Sequence, residues 1–201
     1  DTYVIRNNLF FSNSNGMNLQ GAQGFKLAYF AVENNTVVGY KGYGIHCAGR
    51  PGGTTLKNNI ISMKNDGYCL SIANLGVLAE ADHNCLHVYG DAGIAIWADD
   101  GTARKAAKIE EWQAASGLDT ASISLDPLFA YPGSGNFHLK STAGSWRGYT
   151  WYNDTVTSPC VDAGDPLTAV AEEPNPNGGR VNIGAYGNTP EASKTPDYRL
   201  L

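Results

Sequence analysis

Two lysines and two aspartates recur at a spacing that would bring them together on a repeating chain. Lys41 and Lys64 lie 23 residues apart, and Asp66 and Asp91 lie 25 apart. An ammonium group in such a row can bind the carboxylate of a uronic acid. It can also remove the proton α to that carboxylate in a β-elimination, if a second cation, or calcium on the substrate carboxylate, lowers its pKa. Hydrolysis asks for a different set, two carboxylates about 5–9 Å apart across the bond. Asp66 with Asp91, or Asp99 with Asp100, are the available pairs, although Asp99-Asp100-Gly101-Thr102 reads better as a turn. His46, flanked by Gly44 and Cys47 on a predicted strand, is the histidine best placed to face outward. Against each assignment stands the plainer one of solvated turn residues.

Aromatic residues supply a second kind of candidate. Trp146, Tyr149, Trp151 and Tyr152 crowd one loop, 144–153. Their faces suit the C–H face of a pyranose ring, and equally suit pinning the loop to the body of the protein. Trp97 is expected at an outward strand position and joins them as a substrate-binding candidate. No Cys-x-x-Cys or His-x-x-x-His spacing suggests zinc, so no residue is assigned to a metal, and calcium is the one cofactor worth testing. No Gly-rich phosphate loop and no Ser-His-Asp arrangement stands out.

The elements that must position these residues show themselves through asparagine pairs. Asn7-Asn8, Asn34-Asn35 and Asn58-Asn59 each follow a charged residue and precede an apolar run, and His83-Asn84 repeats the pattern loosely. The second asparagines fall at 8, 35, 59 and 84, in steps of 27, 24 and 25. A glycine and a short apolar strand follow 8 or 9 residues later, at Gly16, Gly44, Gly67 and Gly93. A period in this range means one supersecondary unit stacked on its neighbours. The Leu-x-x-Leu-x-Leu scaffold of a leucine-rich repeat is absent. Alternating apolar and polar positions around Ile45-His46-Cys47 indicate strands. Asparagine tolerates the left-handed backbone of a sharp corner, and its amide can form a ladder from coil to coil. The prediction is an all-β parallel β-helix solenoid, with Asn8, Asn35, Asn59 and Asn84 aligned along one edge.

Counting from the glycines, the outward positions of that strand are Asn18, His46, Cys69 and Ala95, then Gln20, Ala48, Ser71 and Trp97. Cys47 and Cys69 would then face opposite ways, so four free, buried thiols are expected rather than disulfides. Residues 103–116 read as a helix, with Trp112 packed on the side or end of the solenoid and Gly117 as its stop. Strands are expected again at 123–129, 136–140, 159–165 and 180–187. The chain is one domain: regular coils over 1–98, the helix and irregular coils over 99–189, and a tail over 190–201. A net charge of −5 argues against nucleic acid and an anionic membrane surface. No apolar run approaches the ~20 residues of a membrane span. No signal peptide opens the chain. The first coil begins without a cap, so further N-terminal coils or domains of the same protein are expected.

Four segments carry a family resemblance: Trp112 to Asp119, Ser124-Leu125-Asp126-Pro127-Leu128-Phe129, Ser158 to Asp165, and Asn182-Ile183-Gly184-Ala185-Tyr186. Together with the asparagine repeats they resemble the C-terminal region of secreted bacterial right-handed parallel β-helix proteins of the pectate-lyase-like superfamily. The resemblance implies a right-handed solenoid, export or a cell-surface location, and an acidic polysaccharide as partner, acted on by a lyase or a glycoside hydrolase. The polygalacturonase motifs and the pectate-lyase and pectin methylesterase signatures are absent. The alternative is a non-catalytic glycan-binding or surface module.

Overall fold

The computed structural model describes residues 1–20, 29–49 and 52–197. Four triples of strands wind into a solenoid. The first coil is β1 (Thr2–Arg6), β2 (Leu9–Asn13) and β3 (Met17–Gln20), and the second is β4 (Tyr29–Glu33), β5 (Thr36–Gly39) and β6 (Tyr43–Ala48). The third is β7 (Thr54–Lys57), β8 (Ile60–Lys64) and β9 (Tyr68–Ile72), and the fourth β10 (Leu78–Asp82), β11 (Cys85–Tyr89) and β12 (Gly93–Asp99). Like strands stack in parallel, giving sheets β1-β4-β7-β10, β2-β5-β8-β11 and β3-β6-β9-β12. The parallel β-helix expected from the repeats is therefore the fold. Among the described residues no helix is long and apolar enough to cross a membrane.

The core consists of inward rows that run from coil to coil. Val32, Leu56 and Ala81 align on the first sheet, and Val37, Ile61 and Leu86 on the second. Ile45, Leu70 and Ala95 align on the third, beside Cys47, Ile72 and Trp97. All are buried in one cluster. Each row removes apolar side chains from water at about 25 cal/mol per Å².

The corner between the first and second sheets has two functions. Asn7, Asn34, Asn58 and His83 take left-handed φ values of 50–55°, which few side chains adopt cheaply. The next residue in each coil turns inward and forms the ladder. The Asn8 amide donates to Asn35 Oδ1 at 3.0 Å, Asn35 to Asn59 Oδ1 at 3.1 Å, and Asn59 to Asn84 Oδ1 at 3.1 Å. The same oxygens accept backbone N–H groups. Asn84 passes the ladder on to the buried carboxylate of Asp119, at 2.9 Å. Asp119 also accepts from Ser122 Oγ at 2.6 Å and Trp112 Nε1 at 2.8 Å. Burial pushes its carboxyl up, and these three donors oppose the shift.

Beyond the fourth coil the structure departs from expectation. Residues 102–106 form an antiparallel strand, β13 (Thr102–Ala106), on the edge of β12, and the helix α1 covers only Ile109–Ser116. The open edge of β12 outweighs the helix propensity of Ala103-Arg104-Lys105-Ala106. The α1 helix closes the end of the core, with Trp112 edge-on to Trp97 at 5.4 Å, and stops at left-handed Gly117 as expected.

A hairpin follows, β14 (Phe129–Tyr131) with β15 (Asn136–Leu139), then a second, β16 (Ser145–Trp146) with β17 (Trp151–Tyr152). Residues 159–187, expected to contain the last strands, are turns instead. They run along the asparagine corner, where the outer asparagines hold them: Asn58 Oδ1 accepts the Asp165 N–H, while Asn34 and Asn7 donate to carbonyls of 182–187. The expected tail is packed too, Ala192, Ser193 and Thr195 being buried; residues 198–201 lie outside the described part.

Candidate functional site

The outer face of the third sheet carries an open groove of about 550 Å³. Stacked strands place one side chain above another, with neighbouring strands about 4.8 Å apart. One outward row is Asn18, His46, Ser71 and Ile96, with Lys105 of β13 opposite Ile96. The row before it holds Tyr43 and Tyr68 side by side, then Gly93. Turns preceding the strands add Asn15, Lys41 and Asp66 to the groove wall. Lys41 and Asp66 are exposed, and the two tyrosines and Ser71 are half-buried.

His46 is the chemically most capable member. Its Nδ1 lies 2.9 Å from Ser71 Oγ, and the Tyr43 ring packs on it at 5.1 Å. These contacts orient the imidazole, and Nε2 has no partner among the described residues. Lys105 approaches from the capping strand, its Nζ 5.7 Å from the centre of the Tyr68 ring, a cation–π distance. Lys41, Lys105, two tyrosine faces and an oriented histidine thus share one surface.

The residues singled out from the sequence divide. Lys41 and Asp66 line the groove, and His46 borders it through Tyr43 and Ser71. Lys64 belongs to the neighbouring corner, its Nζ 6.0 Å from the Tyr40 ring, and Asp91 sits in an exposed turn; neither lines the groove. Asp66 and Asp91 therefore do not face each other across it. Trp97 is a correction: it points inward, 7% exposed, into the core. Cys69 and Ala95, expected outward, are likewise buried. The cause is register. Gly44 aligns with Cys69, two past Gly67, and Gly93 pairs with Tyr68, one past it, so the glycines do not mark equivalent positions. Tyr43, Tyr68 and Lys105 were missed, while Ser71 faces outward as expected; the two tyrosines stand one 25-residue period apart, which was a usable signal.

The aromatic loop lies elsewhere. Trp146 and Trp151 pack on each other at 5.3 Å, with Lys194 Nζ 4.5 Å from the Trp151 ring centre. Tyr149 is 85% exposed at the loop tip. Among the described residues no three or more His, Cys, Asp or Glu side chains come together as a metal ion would need. All four cysteines are free and buried, as expected, although Cys47 and Cys69 face the same core rather than opposite ways.

A family model described as disaggregatase related matches residues 104–164, less than half of the chain. The matched stretch begins on β13, next to Lys105, and runs through α1 and both hairpins. No curated protein and no solved structure matches the chain.

Proposed function

We propose that the groove binds an acidic polysaccharide and cleaves it by β-elimination, outside the cell. The observation carrying this reading is the convergence of Lys41, Tyr43, Tyr68 and the His46–Ser71 pair on one open face, where Asp66 is the only carboxylate among the described lining residues. One carboxylate falls short of the pair that hydrolysis needs. The tyrosine faces stack on successive sugar rings, and Lys41 pairs with a uronate carboxylate. His46, with Nδ1 held by Ser71 Oγ and Nε2 unpartnered among the described residues, is placed to act as the base, and Lys41 on the groove wall is the group that offsets the charge growing on the carboxylate. His46 Nε2 takes the proton from the carbon α to the carboxylate. That electron pair forms the new C=C bond, and the glycosidic oxygen on the β carbon leaves and takes a proton from water. The name of the matched family denotes the taking apart of aggregates, which fits a protein that opens a polymer matrix.

Polygalacturonate, alginate and chondroitin are the substrates to test, each with calcium and with a chelator. Cleavage should generate unsaturated ends that absorb in the ultraviolet. His46→Ala and Lys41→Ala should each lower the rate at least 100-fold, the usual scale for a general base, and Lys64→Ala should leave it intact. Full activity in His46→Ala would remove His46 as the base. Binding without cleavage would reduce the groove to a glycan-binding surface.

A further inference from the structure

The second hairpin holds a buried arginine that the fold does not fully satisfy. The Arg147 guanidinium lies between two tyrosine rings, with Cζ 4.6 Å from the centre of Tyr131 and 5.2 Å from that of Tyr152. Its Nη2 pairs closely with Asp154, whose other oxygen accepts from Ser145 Oγ at 2.6 Å and the Ser141 N–H at 2.9 Å. The Arg147 side chain is only 9% exposed, yet Nε and Nη1 have no acceptor. Buried donors without partners are rare and costly.

Hollows flank this stack. One, of about 340 Å³, is lined by Tyr131, Asn136, Arg147, Tyr149 and Tyr152, and another, of about 200 Å³, adds Lys140. Tyr131, Tyr149 and Tyr152 are 57%, 85% and 54% exposed, a concentration of free aromatic surface. A ligand would reach Arg147 Nε and Nη1 by displacing these exposed rings. We infer that this cleft is a second saccharide site, built for an acidic sugar. The rings take the pyranose faces. A carboxylate or sulfate on the sugar supplies the acceptor that Arg147 lacks, with Lys140 as counter-ion. Asp154 is committed to Arg147, Ser145 and Ser141, so the cleft binds and does not cleave. The ligand class is that of the proposed substrate, but the geometry is independent of the groove.

The test uses Lys41→Ala/His46→Ala protein, in which the groove is disabled, titrated calorimetrically with galacturonate, hyaluronan and sulfated chondroitin hexasaccharides, and with neutral maltohexaose. At least one acidic hexasaccharide should bind this protein at least tenfold more tightly than maltohexaose. Adding Tyr149→Ala, at a residue too exposed to matter for folding, should weaken that binding at least tenfold. Tyr149→Ala alone should leave cleavage of short oligosaccharides by the groove unchanged, so the two sites fail separately. Absence of acidic-sugar binding, indifference to Tyr149→Ala, or equal affinity for maltohexaose would each overturn the proposal.

Discussion

Glu173 shows how one buried carboxyl ties the stability of this protein to pH. Its Oε1 accepts the N–H groups of Asn182 at 2.7 Å and Asn188 at 2.8 Å, while Oε2 is buried with no partner. Burial pushes the carboxyl up to about 7; the two N–H donors oppose this and nearby Asp162 adds to it. The folded pKa lies above the unfolded one, so folding favours the protonated form. The contribution is complete below pH 4.5 and is lost as pH rises through 7. A shift of this size corresponds to about 3 kcal/mol. His87 and His138 run the other way, since burial holds both below the ordinary histidine value and their contributions fade as pH falls. The informative quantity is therefore the difference between wild type and Glu173→Gln, which keeps the Oε1 acceptor and has no charge to lose. The variant should match wild type in thermal melts at pH 5 and exceed it at pH 8. Parallel curves would show that Glu173 does not titrate in this window.

At the scale of elements, the asparagine ladder explains why some of the architecture was legible and some was not. Asn35 and Asn59 are bonded to the coils on either side, Asn8 to the second coil and Asn84 to the third coil and Asp119, so their spacing records the true length of each turn. Asn59 is fully buried and bonds both Val32 O and Asn84 Oδ1. Asn59→Leu should cost about 1–3 kcal/mol, because the groups facing it lose their partners in a dry interior; an unchanged melting temperature would show the ladder to be dispensable. The glycines were a poorer guide, for a backbone reason. Each permits close packing at its own coil, where a Cβ on Gly44 would meet Ile61 and one on Gly93 would meet Tyr68, but no side-chain ladder holds one glycine in register with the next. Counting from them shifted the third coil by two residues and the fourth by one relative to the second, and a one-residue shift in a strand exchanges inside for outside. The one-residue slip in the fourth coil put Trp97 in the solvent, while the two-residue slip in the third left Ser71 on the outward face but out of line with His46. The β13 strand was invisible for another reason: its pairing is set by the edge of β12, not by its own alanine-rich sequence.

At the scale of the whole molecule, the C-terminal segment decides whether the protein behaves as one unit or two. It passes Asn58, then Asn34, then Asn7, so residues 165–187 tie the third, second and first coils in turn. A second apolar cluster fills the seam, joining Ile60 and Cys85 of the solenoid to Cys160, Val161 and Ile183. The cysteines report on both regions: Cys47 and Cys69 lie in the solenoid core, Cys85 and Cys160 in the seam. All are buried, and burial pushes the Cys47 thiol up to about 12, so the native protein should be inert to thiol reagents. If the asparagine clamps and the seam hold the segment as firmly as the ladder holds the coils, all four thiols should become reactive in one transition as denaturant rises, coincident with loss of the strand signal. Two thiols reacting ahead of the other two, identified by mass spectrometry as Cys85 and Cys160, would instead make the segment a separate cooperative unit that opens while the solenoid stays folded.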